Sequence, residues 1–580
     1  MEKINVKING LDVSVPAGST ILDAAYEAGI KIPTLCYFKE INEIGACRIC
    51  VVEVKGARNL VAACVHPVSE GMEVLTNTPK LIESRRRTME LTLSTHDNKC
   101  LSCVRSNNCE LQQLSQELGV ADENYFAGEK IEFEIDDSAI HMSRDNNKCI
   151  LCRRCSAVCE KHQAVGVIGP NKRGFKTYIG SAFDMGLGET SCISCGQCIN
   201  VCPVGAIYEK DFTDEVLAAI NDPTKHVVVQ PAPSIRAALG EEFGYPVGTD
   251  VEGKMAAALR RVGFDSVFDT TFAADLTIME ETAEFLGRLN GGGKLPMFTS
   301  CSPGWVKFCE HYYPDLIDHL SSCKSPQQMF GAIAKTYYAE KKGLDAKDIV
   351  SVSVMPCTAK KFERTRDDQD AAGVPDVDIV ITTRELARLI RKTGIDFTRL
   401  PDEKFDDLMG ESTGGGMIFG ASGGVMEAAL RTAVEKLTGE ESASVDFHEV
   451  RGTDGIKEAT YHVAGTDVKI AITSGMVNAK KIMDKVRAGE ADYHFIEIMG
   501  CHGGCVNGGG QPQCTAETWN TLDVKALRAK VLYDIDVART FRKSHKNPSI
   551  IKLYDDFLGE PGGHKAHDLL HTTYVKRTIN

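Results

Sequence analysis

Apolar and polar positions alternate at the start of the chain. INVKI and LDVSV each turn every second residue to one face, and Asn9-Gly10 between them is a hairpin dipeptide. The pattern then shifts to helical spacing in STILDAAYEAGI, where Ile21, Ala24, Ala25 and Ile30 share a side behind a Ser/Thr start. LIESRRRTMELTLSTH and CELQQLSQELG are predicted helices flanking a cluster of cysteines. After Tyr208, short apolar runs (HVVVQPA, IVSVSVMPC, VDIVITT and YHFIEIMG) alternate with helical stretches. That alternation predicts an α/β region on a buried, largely parallel sheet.

These textures divide the chain into four units: 1–78, β-rich; 79–139, helical; 140–210, cysteine-rich; and 211–580, α/β. At roughly 100–200 residues per domain, 580 residues hold three to five domains, so the fold class is multidomain α+β and α/β. Hydrophobic and charged fractions of 43% and 25% are ordinary, whereas 22 cysteines are far too many for an ordinary cytosolic protein. Disulfides in an oxidising compartment or metal sites in a reducing one explain such a count. The first residues lack the apolar core of a signal peptide, and no run reaches the roughly 18 apolar residues of a membrane span. The expectation is therefore a cytoplasmic protein with metal sites and no membrane segment. A net charge of -14 disfavours nucleic acid as a partner. The one dense basic run, Arg85 to Arg87, reads as a solvated helix face.

Cys149, Cys152, Cys155 and Cys159 form C-x2-C-x2-C-x3-C, and Cys192, Cys195, Cys198 and Cys202 repeat it with Pro203 following. This is the two-cluster bacterial ferredoxin run, in which short loops let three thiolates converge and the fourth of each run crosses to the other cluster. One 4Fe-4S cluster is expected on Cys149, Cys152, Cys155 and Cys202, the other on Cys192, Cys195, Cys198 and Cys159. Cys36, Cys47, Cys50 and Cys64 follow the predicted hairpin and helix with spacings that resemble a plant-type 2Fe-2S loop, though the first gap is longer. His96, Cys100, Cys103 and Cys109 give H-x3-C-x2-C-x5-C, similar to a 4Fe-4S site held by one histidine and three cysteines. Zinc fits the ligand chemistry of this last set too, but its place between two cluster modules favours iron.

Three C-terminal segments carry the catalytic signal: Thr299 to Trp305 (TSCSPGW), Met355 to Lys361 (MPCTAKK), and Glu497 to Cys505 (EIMGCHGGC) with VNGGG after it. In this order they resemble the signatures of the iron-only (FeFe) hydrogenases, of the type with N-terminal accessory clusters. The resemblance implies a β-grasp 2Fe-2S ferredoxin-like domain, a small helical domain for the one-histidine, three-cysteine cluster, a two-cluster ferredoxin domain and a large α/β H-cluster domain. It implies one 2Fe-2S and three accessory 4Fe-4S clusters. It also implies an H-cluster, a 4Fe-4S cluster bridged by Cys505 to a two-iron centre carrying CO, cyanide and azadithiolate. Cys357 and Cys501 would be further ligands of that 4Fe-4S cluster. Lys360 would donate to a cyanide, and Ala232, Pro233, Ser234, Gln327, Met355 and Met499 would wall the two-iron centre. Independently of the resemblance, a buried Lys360 needs an anionic partner, and the glycines at 503, 504 and 508–510 fit the close backbone approach that a bulky metal centre needs.

The implied reaction is 2 H+ + 2 e- to and from H2, heterolytic at an open iron position, with electrons exchanged with ferredoxin. The alternative is the catalytic subunit of an NAD(P)-linked or electron-bifurcating complex. The chain shows no GxGxxG unit, so diaphorase-type flavin and iron-sulfur subunits would then be partners. A third reading is a non-catalytic relative that assembles or senses clusters. Installing the two-iron centre would need maturation proteins. The resemblance also gives a proton route from Cys301 through Glu281, Ser321 and Glu284 to Arg288. Glu281, Glu284 and Arg288 fall at i, i+3 and i+7, on one helical face.

One position departs from the pattern. The signature has two adjacent cysteines before Pro-Gly-Trp, the first relaying protons and the second ligating, but here the pair is Cys301-Ser302. Serine must lose a proton at a far higher pKa than a thiol to bind iron. Either Ser302 coordinates as an alkoxide, or Cys301 shifts to ligate, or the cluster keeps three protein ligands. Cys309, Cys323 and Cys514 have no motif partner and read as ordinary thiols, with Cys309 a distant substitute for the missing ligand.

Overall fold

A computed structural model describes residues 2–122, 124–126, 130–441, 445–453, 455–463 and 465–579. The N-terminal pattern folds as a hairpin of strands Lys3–Ile8 and Leu11–Pro16, turning through Asn9 and Gly10, both at positive φ as a two-residue turn requires. Strands Glu73–Leu75, Val51–Val54 and Val61–Ala62 extend it to a mixed five-stranded sheet. Helix Ile21–Glu27 packs on one face, started by a reciprocal Thr20/Asp23 capping box.

The next helix, Pro79–Leu93, corrects the reading of its basic run. Leu81, Arg85 and Met89 lie four residues apart and form its buried stripe. The Arg85 guanidinium crosses to the Val51 carbonyl at 2.7 Å, beside Cys50. Only Arg86 and Arg87 remain on the outside, where both pair with Glu83.

The C-terminal part is built on two four-stranded sheets. The first orders strands Ser266–Val267, His226–Pro231, Ile349–Met355 and Ile379–Thr382, all parallel. The second orders Met297–Phe298, Phe495–Met499, Thr466–Ser474 and Ile456–Val463, parallel except for the last pair. Helix Thr270–Gly287 is buried through most of its length. It gives Phe272 and Leu276 to the core of one sheet and Ala274 and Ile278 to the core of the other. Both sheets therefore release their carboxyl ends into one cleft, the usual place for a site in a parallel α/β fold. Ala232 to Ser234, Cys301-Ser302, Cys357 and Cys501 all follow directly from strand ends.

Among the described residues no helix is long and apolar enough to cross a membrane.

Candidate active site and cluster-binding sites

Two small cavities lie in the cysteine-rich unit. One is lined by Cys149, Cys152, Cys155 and Cys202, with Arg144, Asn146 and Arg153 in its wall. The other is lined by Cys159, Cys192, Cys195 and Cys198, with His141, Gln163 and Gln197. Helix Arg154–Lys161 carries Cys155 toward the first and Cys159 toward the second, so each cavity receives three neighbours and one cysteine from the other run. Burial pushes all eight thiols above their ordinary pKa, Cys149 and Cys152 to about 12 and Cys159 to about 11. A nest of protonated, poorly hydrogen-bonded thiols is a costly interior. Iron, which takes them as thiolates, makes chemical sense of it.

Of the other two predicted sets, Cys36, Cys47, Cys50 and Cys64 come together, and Cys103 and Cys109 of the second do so. The Cys50 and Cys64 sulfurs are 3.3 Å apart, and the Cys47 amide donates to the Cys36 sulfur at 3.4 Å. Asn42 donates to both the Cys36 and Cys152 carbonyls, at 2.8 and 3.0 Å, tying this set to the first cavity. His96 is buried with its Nδ1 unpartnered, and burial lowers its pKa to about 4, so the imidazole is neutral and fit to bind metal. Cys103 and Cys109 lie close enough to act on each other electrostatically. Cys109 donates to the Pro203 carbonyl at 3.7 Å, next to Cys202. Both N-terminal sets thus adjoin the same cavity, as two branches of one path.

The second cavity adjoins the catalytic cleft. Gly196 is at φ +69°, and a Cβ there would lie 2.3 Å from the Thr358 hydroxyl; one on Gly509 would lie 2.1 Å from the Cys195 carbonyl. Only glycine permits this approach, which puts Cys195 within electrostatic reach of Cys501. The glycine run therefore serves contact between protein backbones. Across the same seam Glu209 holds Arg384 and Arg388, at 2.8 and 2.9 Å, and the two guanidiniums keep its carboxyl well below the ordinary range despite burial.

In the cleft, Cys357, Cys501 and Cys505 converge, their thiols raised by burial and Cys505 reaching about 12. Ser302 caps helix Pro303–Tyr312, and its Oγ accepts the Gly500 amide at 3.1 Å, one residue from Cys501. Cys301 lies on the other side, where Glu281, Cys505 and Lys360 act on it. Ala232, Pro233 and Ser234 begin the turn after one strand, and Met355 and Met499 end two others. Ser234 Oγ donates to the Cys505 carbonyl at 3.4 Å. Gln327 receives Ser353 and donates to Glu363.

Lys360 has an anionic partner within the chain. Its Nζ meets Glu363 at 2.9 Å and donates to Ser325 Oγ at 2.7 Å and to the Cys301 carbonyl at 3.1 Å. Glu363 sits at i+3 in AKKFE, a spacing that could have revealed the pair. Sequence reading also gave no role to Glu497, buried beside Cys301 and Cys505 and raised by burial to about 7 while accepting the Gly423 and Met426 amides. Its signal was an acid within the apolar strand FIEIM.

Glu281 is fully buried with neither carboxyl oxygen hydrogen-bonded, and burial, aided by Glu284, raises its pKa to about 8. Ser321 lies beside it and donates to Glu284 Oε2 at 2.8 Å; Glu284 Oε1 receives Arg288 at 2.6 Å. Ser321, Glu284 and Arg288 are thus hydrogen-bonded in series, with Glu281 beside Ser321 and Cys301 within electrostatic reach of Glu281.

Buried thiol sets in series, ending in a cleft with a neutral carboxyl and a lysine, define an iron-sulfur oxidoreductase. Sequence profiles described as iron only hydrogenase large subunit, C-terminal domain, and iron hydrogenase small subunit match residues 225–509 and 522–577. Profiles for a 2Fe-2S cluster binding domain, the NADH-ubiquinone oxidoreductase-G iron-sulfur binding region and a 4Fe-4S dicluster domain match 1–79, 85–124 and 148–206. The NADP-reducing hydrogenase subunit HndD of Solidesulfovibrio fructosivorans is 51% identical over the whole of both chains. Iron hydrogenase 1 of Clostridium pasteurianum is 44% identical over 98% of this chain and 99% of its own. The solved [FeFe]-hydrogenase HydA1 of Chlamydomonas reinhardtii is 45% identical over 63% of this chain and 99% of its own, with a TM-score of 0.56. The chain belongs to the iron-only hydrogenases, oxidoreductases acting on H2, and joins an H-cluster domain to 2Fe-2S and 4Fe-4S domains.

Proposed function

We propose that this hydrogenase is a cytoplasmic enzyme whose units 1–78, 79–139 and 140–210 carry one 2Fe-2S and three 4Fe-4S clusters on the fifteen cysteines and His96 named above. Unit 211–580 holds the H-cluster. Cys357, Cys501 and Cys505 hold its 4Fe-4S part, and Ser302 fills the fourth corner as an alkoxide, its proton released on binding iron. The observation that carries this is the convergence of the Cys357, Cys501 and Cys505 thiols at the ends of both sheets, against the Cys195 loop, with the Ser302 hydroxyl on the amide of Gly500, one residue from Cys501. When bound, the two-iron centre supplies the open iron position at which H2 is split or formed, and Cys505 would bridge to it.

The protein's own part is to position, shield and move protons. Lys360 is held by Glu363 and Ser325, ready to donate to a cyanide. Ala232, Pro233, Ser234, Gln327, Met355 and Met499 exclude water. Glu281 stays protonated at neutral pH and returns a proton to Cys301 once that thiol has given up its own, and Glu284 reloads Glu281 through the Ser321 hydroxyl, with Arg288 holding Glu284 in place at the outer end. Hydrogen evolution from reduced methyl viologen by the maturated protein tests this reading. Cys301→Ala is expected to keep the clusters and lose turnover; loss of the cluster instead would make Cys301 the ligand.

Ferredoxin is the electron partner we propose. The full-length likeness to an NADP-reducing hydrogenase subunit favours a second reading, a catalytic subunit docked to flavin-bearing partners. Co-purification of such subunits separates the two.

A further inference from the structure

Cys323 takes no part in the cluster motifs, yet it is buried where a second set of polar groups meets. Its sulfur donates to Glu284 Oε2 at 3.8 Å, and its backbone pairs with that of His571. The thiol of Cys323, a carboxylate oxygen of Glu284 and a ring nitrogen of His571 all lie within 4.8 Å of one another. Glu280 Oε2 stands 3.2 Å from His571 Nε2. Glu280, Glu281 and Glu284 all face the Cys323 thiol. Arg288 is held on Glu284 Oε1, which leaves Oε2 turned toward the sulfur.

Helix His564–Leu570 leads here from the surface. His564 and His567 are exposed, and the His567 ring stacks on that of His571 with centroids 4.5 Å apart.

We propose that Glu284, Cys323 and His571 form a three-residue binding site for a divalent cation of the zinc class, with Glu280 orienting His571 and water completing the tetrahedron, reached past His567. Thiolate, imidazole and carboxylate together select zinc or cadmium over calcium or magnesium. Tetrahedral zinc with bonds of about 2.0–2.3 Å sets its ligand atoms about 3.3–3.8 Å apart, so side-chain adjustments of an ångström or so close the site. The Cys323 proton leaves to solvent as the zinc-sulfur bond forms, and no electron is transferred. Zinc there occupies the Glu284 oxygen that now accepts the Ser321 hydroxyl. On the proposed proton route, and resting on that reading, the bound ion closes the path.

The test titrates the maturated holoenzyme with zinc sulfate and follows zinc K-edge absorption alongside hydrogen evolution. One tightly held zinc with a single sulfur ligand is expected, with turnover falling about tenfold or more and returning on chelation. Cys323→Ser and His571→Gln should each weaken zinc binding about tenfold or more and leave zinc-free turnover within about twofold. Zinc bound through two or more sulfurs, or bound equally by both variants, overturns the site. A single-sulfur zinc that is lost in both variants but never slows turnover upholds the site and overturns the route through Glu284.

Discussion

Around the two cavities of the cysteine-rich unit, eight thiols come from two short runs, and each cavity closes with one crossing cysteine. In the catalytic cleft, three thiols and one hydroxyl come from three strand-end loops scattered between Ser302 and Cys505. The first arrangement is written in local spacing and only positions electrons. The second exists only once two sheets have folded against a shared helix, and it must also bring protons. The lining residues of the cavities include no acid, whereas the cleft is bordered by Glu281, Glu363 and Glu497. What distinguishes catalysis from wiring here is buried, protonatable groups beside the sulfur ligands.

The largest effect expected from breaking that contrast is in the cleft. Cys505→Ala should abolish hydrogen evolution, a loss beyond the roughly 10–100-fold of an outer-shell change, with the accessory clusters still visible by electron paramagnetic resonance. Glu281→Gln should leave all clusters in place and lower turnover by about 10²–10⁴-fold, the usual contribution of a positioned acid-base group.

The pH dependence follows from the same residue. Its folded pKa, about 8, lies above the ordinary 4.5 because burial disfavours the charge. Its neutral form is therefore favoured in the fold, and the stability it contributes is full below pH 4.5 and lost as pH rises through about 8. Proton-consuming turnover should fall over that upper limb, and the limb should vanish in Glu281→Gln.

At the seam between wiring and cleft, Glu209→Gln leaves the buried Arg384 without its anion, while Arg388 keeps Asp211. Breaking a buried pair costs about 3–5 kcal/mol, so thermal unfolding should show a clear loss. The smallest effect lies furthest from the cleft: Thr20→Ala removes a capping box and should cost about 1 kcal/mol.

Much of this was legible in the sequence, for a physical reason. The hairpin at Asn9-Gly10, the crossing ferredoxin runs and the parallel strands depend on contacts within a few residues or on a strict period. Arg85 was misread because a basic run looks solvated until the strand that receives its guanidinium is placed. Glu497 and His571 were missed because the thiols they stand beside, Cys301 and Cys323, lie far away in the chain and adjacent only in the fold. Ser302 could be recognised as a departure from its motif, but the amide that holds its hydroxyl belongs to Gly500, at the end of another strand.

The most direct test is the infrared spectrum of the maturated wild-type chain where iron-bound CO and cyanide absorb. A cleft that holds its cluster on three cysteines with Ser302 as the fourth corner predicts those bands, and predicts that they persist in Cys301→Ala. A chain with intact accessory clusters and no such bands would contradict it.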